Sequence, residues 1–463
     1  MRQILILLVL SYLRFWARLA VEKHKPVIIG VAGSVGKSST CQAIYSVLKD
    51  NFPTKLIKGN SETGVPLGLL GLEVQSLGFD TFFLSLWNWF SLLLRVPFGI
   101  NYLQNTKYII VEMGIDEPTP PKNMEYLLTI VKPTIALELN IAPPHLGQFE
   151  KLLQGKNVEN KLEFLLDRMA DEDTKIISKS QCKIGIYNRD DKRVSDLMEV
   201  FEKKVSRTEL ISFGTFERNV VSYKEYIVSP HKTSFSFVIS QDKVKNILQL
   251  VFEDILLPEA YRETFAATIL VGISANLSLP QIKASLEKNF HLPKGRSSVF
   301  TGIHDTTIID SSYNASPKAV LAFLELLQQL KRQTKRPIVF LFGDMRELGN
   351  EAAAEHERVA KEIAKVVDYL YCVGPLTREF VIQQVEHEKK NLKEIRWFDS
   401  AVRAGEYLHE HLPKDAIVLA KGSQNTIYLE EAVKYILKNK SDEKNLCRQE
   451  AYWLEKKKQT TDR

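Results

Sequence analysis

The chain has 463 residues, 44% hydrophobic and 25% charged, which is the composition of a soluble globular protein with two or three domains. It excludes a disordered or fibrous chain, and the net charge of +6, from 62 basic and 56 acidic residues, is too diffuse to indicate a nucleic-acid partner. The four cysteines lie far apart without paired spacing, which argues against a disulfide framework or a zinc site and suits a reducing compartment.

The N-terminal segment, residues 1–25, is apolar from Ile4 to Leu13 except for one serine, and arginines flank this run. It lacks the cleavage pattern of a signal peptide, and its uncharged run is too short to span a bilayer. We therefore predict an amphipathic helix that either packs on the protein or makes a peripheral membrane contact. Packing is the preferred alternative, and both are compatible with a cytoplasmic protein.

From residue 26 the sequence alternates between buried-strand and helix patterns, which predicts an α/β fold with a mostly parallel sheet. An apolar run covers Val27–Ala32, and the following helix begins near Ser38. Further strands are predicted at residues 108–113, 134–139 and 183–187. Residues 82–94 form an unusually apolar helix pattern, and alternation between 206 and 253 indicates an antiparallel insertion.

A second α/β series follows residues 293–296. Its first helix opens with Ser316 as N-cap and Pro317 in the first turn. Its strands are predicted at residues 307–310, 338–342, 370–373 and 417–420. The predicted domains are an N-terminal helix at 1–25, a central domain at 26–293, a C-terminal domain at 294–440 and a solvated charged tail at 441–463.

The segment Gly33-Ser-Val-Gly-Lys-Ser-Ser-Thr40 joins a predicted strand to a predicted helix. Its glycines let backbone N–H groups approach phosphate oxygens, and the helix N-terminus adds a favourable dipole. Lys37 would reach the β- and γ-phosphates of ATP, and the Ser38 hydroxyl would bind Mg²⁺. The glycine that usually stands six residues before the lysine is Val31 here. The predicted nucleotide-binding residues of the loop are Gly33, Ser34, Val35, Gly36, Lys37, Ser38 and Ser39.

Six further short motifs follow this loop in order. They are Gly59-Asn-Ser-Glu-Thr-Gly-Val-Pro66, Val111-Glu-Met-Gly114, Asn140-Ile-Ala-Pro-Pro-His-Leu146, Asp310-Ser-Ser-Tyr-Asn-Ala-Ser-Pro317, Phe342-Gly-Asp-Met-Arg-Glu-Leu-Gly349 and Lys421-Gly-Ser423. Together with the loop they resemble the motifs of the Mur ligase family, and within it those of the ligase that adds D-alanyl-D-alanine. The resemblance covers about residues 26–430 and implies a central P-loop ATPase domain followed by a C-terminal Rossmann-like α/β domain.

The resemblance also implies metal and catalytic roles. Glu112 would join Ser38 on one Mg²⁺, and His145 with a carbamylated Lys161 would bind a second Mg²⁺. Lys37, His145 and Lys161 are the implied catalytic residues. Without the resemblance, His145 would be read as a turn residue and Lys161 as a solvent-facing lysine of a helix.

The resemblance also implies residues of the last domain that contact the nucleotide and the amine substrate. The implied contacts are Arg296, Asp310 and Asn314 with the nucleotide, and Lys421 and Ser423 with the incoming amine substrate. The chain departs from the family at Ser311, where the family has a second aspartate, and at Tyr261–Phe265, which lacks the amides that contact adenine. The usual N-terminal domain that binds the UDP-sugar is expected to be missing, so the acceptor would be bound differently or be different.

The function implied by the resemblance is an ATP-dependent amide-bond ligase of peptidoglycan precursor synthesis, acting as a cytoplasmic monomer with ATP and two Mg²⁺ ions. Its substrates would be a nucleotide-sugar peptide and a dipeptide, joined through an acyl phosphate. The alternatives are another amide ligase of the superfamily with a different acceptor, and a P-loop ATPase that is not a ligase. The Asp344–Gly349 motif argues against folylpolyglutamate and cyanophycin synthetases.

Overall fold

The computed structural model describes residues 2–72, 82–142, 146–155, 158–204, 207–241, 244–346, 348–388, 392–423 and 426–461. The chain forms two compact units. The first consists of Met1–Lys224, Ser236–Leu250 and Tyr261–Phe290. The second consists of Glu225–Phe235, Val251–Ala260 and His291–Arg463.

The first unit contains ten α-helices within the described residues and most of a nine-stranded sheet. The helices are α1 (Arg2–His24), α2 (Lys37–Leu48), α3 (Gly64–Leu69), α4 (Phe82–Arg95), α5 (Met124–Ile130), α6 (Lys161–Asp173), α7 (Lys175–Ser178), α8 (Lys192–Glu202), α9 (Tyr261–Ser274) and α10 (Leu279–Asn289). The strands are β1 (Val27–Ala32), β2 (Thr54–Ile57), β3 (Tyr108–Glu112), β4 (Ile135–Glu138), β5 (Ile184–Asn188), β6 (Glu209–Gly214), β7 (Val221–Ser229), β8 (Lys232–Gln241) and β9 (Val244–Glu253).

The sheet order is β2-β3-β1-β4-β5-β6-β7-β8-β9, and the pairs from β2 to β7 are parallel. Because β1 lies between β3 and β4, the carboxyl ends of these three strands meet at one edge of the sheet. Only two residues separate β7 from β8, a connection short enough for antiparallel neighbours alone, as the insertion was predicted to be. The prediction is wrong for β6, which lies in the predicted range of 206–253 and pairs in parallel with β5 and β7.

Helix α1 packs along one face and exposes the other. Leu13, Ala17 and Ala20 are fully buried in the core of the first unit, so the predicted packing of this segment is confirmed. Leu5 and Leu8 on the outer face keep 61% and 63% of their surface exposed. In the described part of the chain, every helix is too short or too polar to cross a membrane.

The second unit is built on a six-stranded sheet in the order β10-β11-β15-β12-β13-β14, parallel except for β10. The strands are β10 (Ser298–Thr301), β11 (Thr307–Ser311), β12 (Ile338–Gly343), β13 (Tyr369–Val373), β14 (Glu394–Phe398) and β15 (Ile417–Lys421). The helices are α11 (Pro317–Thr334), α12 (Ala352–Val366), α13 (Gln383–Glu388), α14 (Ala401–His411), α15 (Glu430–Ile436) and α16 (Ala451–Thr461). Apolar side chains of α11 and α12 cover one face of the sheet and those of α14 and α15 cover the other, which gives the predicted Rossmann-like layers.

The prediction of a solvated charged tail at 441–463 is wrong for residues 446–448 and 457. Leu446, Cys447, Arg448 and Lys457 are all buried in the second unit. The cause is the fully buried carboxylate of Glu430, whose oxygens lie 2.5 Å from an Arg448 nitrogen and 2.8 Å from the Lys457 amine. A run of charges predicts solvation only when partners of opposite charge are lacking, and the sequence does not show which partners meet.

Candidate active site

The predicted phosphate loop lies between β1 and α2. Gly33 and Gly36 have φ angles of 127° and 91°, which L-residues with side chains rarely adopt. A Cβ atom on Gly33 would also stand 3.0 Å from the Leu139 Cβ, so this glycine is required by both backbone and packing. Lys37 begins α2, and the free N–H groups of the helix N-terminus therefore face the loop.

Asn140 fixes the shape of this loop. Its side-chain oxygen accepts the Val35 N–H at 3.0 Å, and its side-chain nitrogen donates to the Val35 carbonyl at 3.0 Å. Its backbone carbonyl also accepts the Ser34 N–H at 2.7 Å, and the Ser34 hydroxyl accepts the Ala142 N–H at 2.9 Å. The end of β4 thus holds the loop through backbone and side chain. The sequence motif included Asn140 but gave it no role.

The ammonium group of Lys37 lies over the loop. Its Nζ donates to the Gly33 carbonyl at 2.6 Å, and the Ser34 carbonyl stands 3.5 Å away. A lysine in this place supplies positive charge beside the loop N–H groups, where phosphate oxygens would be bound.

The structure brings together two of the predicted metal ligands. The Ser38 hydroxyl donates to Glu112 Oε2 at 2.7 Å, and Asn60 Nδ2 donates to Glu112 Oε1 at 3.1 Å. Glu112 is the last residue of β3 and pairs with Val31 of β1, so the strand register places it beside the loop. One carboxylate and one hydroxyl suit Mg²⁺, which takes few protein ligands and completes its shell with phosphate oxygens and water. Within the described ranges, no cluster of three or more His, Cys, Asp or Glu residues could hold a metal by itself.

The predicted second metal site is not assembled in the described residues. His145 lies outside the residues that the structure describes. Lys161 is the exposed first residue of α6, which Asn160 caps by accepting the Glu163 N–H at 3.2 Å. In the described chain no hydrogen bond joins Lys161 to Ser38 or Glu112.

Four of the five residues predicted in the last domain lie around the loop between β11 and α11. Lys421 Nζ donates to the Ser311 hydroxyl at 3.2 Å and to the Asn314 carbonyl at 2.9 Å. Ser423 Oγ lies 3.3 Å from the Ala315 carbonyl. Asp310, the fourth residue of this group, is a fully buried carboxyl whose Oδ2 has no hydrogen-bond partner among the described residues, and burial raises its pKa to about 6.

The fifth residue, Arg296, contacts the same loop through a cation–π interaction with Tyr313. Its guanidinium lies 4.9 Å from the centroid of the Tyr313 ring. Arg296 and Asn314 are exposed, whereas Lys421 and Ser423 are buried. The two exposed side chains are thus free to reach a ligand, and the two buried ones hold the loop.

The substitution at Ser311 changes the environment of Lys421. A hydroxyl stands at position 311, where the resemblance implies a carboxylate, and among the described residues the hydrogen-bond acceptors of the Lys421 amine are this hydroxyl and the Asn314 carbonyl. Burial, with a smaller effect of Arg296, lowers the pKa of Lys421 to about 7. This amine can therefore lose its proton near neutral pH.

A pair of buried carboxyls lies near the phosphate loop and was missed by sequence reasoning. Glu138 is fully buried at the end of β4, and within the described part of the chain both of its carboxylate oxygens lack a hydrogen-bond partner. Burial and the neighbouring charge of Asp173 raise its pKa well above the usual range. Burial raises the pKa of Asp173 to about 7, against an opposing effect of Lys37. The only available signal was an acidic residue within the apolar strand of residues 134–139.

Comparisons with known proteins agree with this geometry. Residues 31–251 match the Mur ligase middle domain, and residues 295–424 match the domain described as Mur ligase, glutamate ligase domain. A UDP-N-acetylmuramoyl-tripeptide–D-alanyl-D-alanine ligase of Buchnera aphidicola is 23% identical over 371 residues, which cover 79% of this chain and 66% of the relative. The protein of the same name from Borreliella burgdorferi is 24% identical over 425 residues, which cover 90% of this chain and 76% of the relative.

Solved structures show the same fold. A crystal structure of MurF from Acinetobacter baumannii has a TM-score of 0.66 and 21% identity, and the match covers 92% of this chain and 79% of that one. The MurF ligase of Thermotoga maritima in complex with ADP has a TM-score of 0.66 and 19% identity, and the match covers 94% of this chain and 84% of that one.

We predict that Asp173→Asn flattens the pH dependence of stability. The folded pKa of about 7 exceeds the ordinary value of 3.8, so the folded protein binds more protons than the unfolded chain between these values. Wild-type stability should therefore fall as pH rises through this window, and the uncharged amide should remove at least about 1 kcal/mol of that fall. Thermal melts at about pH 5 and about pH 8 measure the effect.

The matched control is Asp196→Asn, which removes an exposed carboxylate from α8 in the same unit. It should keep the wild-type difference between the two melting temperatures. An Asp173→Asn protein that loses as much stability as wild type at the higher pH would contradict a buried proton at this pair.

Proposed function

The chain belongs to the Mur ligase family, and we propose that it is an ATP-dependent ligase that forms an amide bond between a peptide carboxylate and an amine. The observation that carries this proposal is the contact between Ser38 of the phosphate loop and Glu112 at the end of β3. This contact brings the two proposed metal ligands together beside Lys37, which supports a site for phosphoryl transfer.

The substrates we propose are those in the names of the curated relatives. The acceptor is a UDP-N-acetylmuramoyl tripeptide, and the amine is D-alanyl-D-alanine. An acceptor carboxylate oxygen attacks the γ-phosphorus of ATP, and ADP leaves. The dipeptide amine, after losing a proton, attacks the carbonyl carbon of the resulting acyl phosphate, and inorganic phosphate leaves as the amide forms.

Residues of the first unit bind and orient the phosphates in this proposal. The loop N–H groups and Lys37 hold the phosphate chain, and Asn140 keeps the loop in the conformation that allows it. Ser38 and Glu112 would hold Mg²⁺, which offsets the negative charge of the phosphates when bound. His145 and a carbamylated Lys161 are proposed as ligands of a second Mg²⁺.

Residues of the second unit bind the remaining groups. The proposed nucleotide contacts are Arg296, Asp310 and Asn314. The exposed guanidinium of Arg296 suits a phosphate. Lys421 and Ser423 are proposed to position the incoming amine, through the loop that they contact.

We also propose that the protein acts in the cytoplasm as a monomer and associates peripherally with membranes through α1. Leu5, Leu8 and Phe15 are spaced by three and seven residues, which places them on one face of the helix, and each is at least 59% exposed. Exposed Arg18 lies on the same helix, where it pairs with Glu22 at 3.5 Å, and exposed Arg95 ends α4. An apolar helix face with basic neighbours suits the surface of an anionic bilayer.

We predict that Lys37→Ala abolishes ATP turnover without unfolding the protein. The change removes a cation from the phosphate loop, and Lys37 is only partly buried and holds no core in place. Phosphate release, assayed with the tripeptide acceptor and the dipeptide, should fall at least about 100-fold. Lys49→Ala, at the exposed opposite end of α2, should leave the rate unchanged. A Lys37→Ala enzyme with the wild-type rate would remove the loop from the mechanism.

We predict that Lys161 must carry CO₂ for full activity. A carbamate converts its ammonium into an anionic oxygen ligand, so depletion of bicarbonate should slow the wild-type enzyme and added bicarbonate should restore it. Lys161→Ala should lose activity about 100-fold and no longer respond to bicarbonate. The control is Lys192→Ala, because Lys192 begins α8 behind the N-cap Asp191 as Lys161 begins α6 behind Asn160. Full activity of Lys161→Ala would refute the carbamate.

We predict that Leu8→Glu weakens binding to vesicles that contain phosphatidylglycerol. Insertion of one leucine contributes about 1.5–3 kcal/mol, so the vesicle-bound fraction in flotation assays should fall about tenfold or more. Val200→Glu, on the exposed face of α8 at 48% exposure, is the control for an added charge and should bind as wild type does. Equal binding by all three proteins, or none by wild type, would exclude the membrane contact.

A further inference from the structure

The C-terminal segment of the chain is anchored by a buried ionic group. The guanidinium of Arg448 donates to Glu430 through two nitrogens, Nε at 2.7 Å and Nη2 at 2.5 Å. Both side chains are almost fully buried, with 2% and 0% of their surface exposed. Lys457 of α16 adds a second cation 2.8 Å from the same carboxylate and also donates to the Arg448 carbonyl at 2.9 Å. The segment is therefore held by charge as well as by apolar packing.

The same guanidinium holds the loop between β11 and α11. Arg448 Nη2 donates to the Ser312 carbonyl at 2.9 Å, and Nη1 donates to the Tyr313 carbonyl at 3.1 Å. The next carbonyl along the chain, that of Asn314, accepts a hydrogen bond from buried Lys421. Three consecutive carbonyls of this loop thus accept hydrogen bonds from the buried side chains of Arg448 and Lys421. The loop carries Asp310 at its start, whose Oδ1 accepts the Ser312 N–H at 3.1 Å.

The C-terminal segment also contacts the residues around Arg296. Lys294 Nζ donates to the Lys444 carbonyl at 2.5 Å. The Gly295 carbonyl accepts the Tyr313 N–H at 3.0 Å, and a Cβ atom on Gly295 would lie 2.8 Å from the Cys447 sulfur. One segment of chain therefore packs against both parts of the second unit that carry proposed nucleotide contacts.

We propose that Arg448 is a positioning residue of the ligase, which holds the loop at residues 311–315 in its nucleotide-binding conformation. The inference rests on the proposed function, because that function gives Arg296, Asp310 and Asn314 their contacts with the nucleotide. Arg448 and Glu430 lie beyond residue 424, where the match to the Mur ligase domain ends. This device is thus additional to the matched domain.

The geometry distinguishes positioning from simple anchoring. An ion pair with Glu430 uses one edge of the planar guanidinium, and a lysine could supply that charge. The two carbonyl bonds need the remaining N–H groups in the fixed fork of an arginine. A lysine at position 448 should therefore keep the C-terminal segment anchored to Glu430 but should not hold the loop at residues 311–315 in place.

Two variants separate these effects. Arg448→Lys keeps the charge beside Glu430 but cannot reach both loop carbonyls. The double variant Glu430→Gln with Arg448→Met removes cation and anion together, so that no buried carboxylate loses its arginine partner. Lys444→Met, which removes an exposed charge from the same segment, is the matched control.

The measurements are steady-state kinetics, nucleotide binding and amide hydrogen exchange on the full chain. In both variants the KM for ATP should rise about tenfold while kcat changes less than about threefold, since binding contacts and not the reacting groups are displaced. The peptide that contains residues 311–316 should exchange faster, whereas peptides from β12 and β15 should keep wild-type rates. Glu430→Gln alone, which retains the arginine and its carbonyl bonds, should keep a KM near wild type.

The proposal is overturned if Arg448→Lys and the double variant keep both the wild-type KM and the wild-type exchange of the 311–316 peptide. It is also overturned if the KM for ATP rises only in proportion to the loss of thermal stability, because an arginine that only anchors the C-terminal segment would change both together. If wild type hydrolyses no ATP with the tripeptide acceptor, the proposed function fails instead. The exchange measurement and the affinity for an ATP analogue, measured directly, still decide whether Arg448 positions the loop.

Discussion

The hydrogen bonds of Asn140 are the constraint on which the candidate site depends. A phosphate loop must keep its N–H groups directed at one point, and the chain from Gly33 to Gly36 is only four residues long with two glycines, so it has little stiffness of its own. The Asn140 side chain forms hydrogen bonds with both the N–H and the carbonyl of Val35, which are the two groups that a neighbouring strand would pair with. Asn140 follows β4, and β4 is hydrogen-bonded to β1, so the loop is fixed to two paired strands of the sheet. Glu112 reaches the same point from β3 on the other side.

The residues at strand ends could be predicted from sequence, because buried strands are visible as apolar runs and parallel strands end at one edge of their sheet. The buried runs at Val27–Ala32 and Tyr108–Glu112 were recognisable as strands, so their carboxyl ends had to meet ligands at one edge. The resemblance to a family then gave chemical roles to Ser38 and Glu112. The loop glycines followed in the same way, since few other residues tolerate their backbone angles.

The buried charges could not be predicted in this way. Glu138 interrupts an apolar strand, but whether it is paired, protonated or exposed depends on which residues approach it from elsewhere in the fold. Arg448 was assigned to a solvated tail because its sequence neighbours are charged, and its partner Glu430 lies 18 residues away. Periodicity reports which face of an element is apolar, whereas ion pairs between distant segments leave no local pattern.

The division of the chain into units has a consequence for how the protein is made. The chain passes between units after Lys224, Phe235, Leu250, Ala260 and Phe290, so β7–β9 each supply residues to both. Within the second unit, Ser297 donates its hydroxyl proton to the Leu256 carbonyl, and Ile255 forms a bridge with Ser298. When the ribosome has translated the first 290 residues, two segments of the second unit, Glu225–Phe235 and Val251–Ala260, are already made, and the rest of that unit is still to be translated. A single proteolytic cut or gene truncation near residue 290 therefore separates Glu225–Phe235 and Val251–Ala260 from the rest of their own unit.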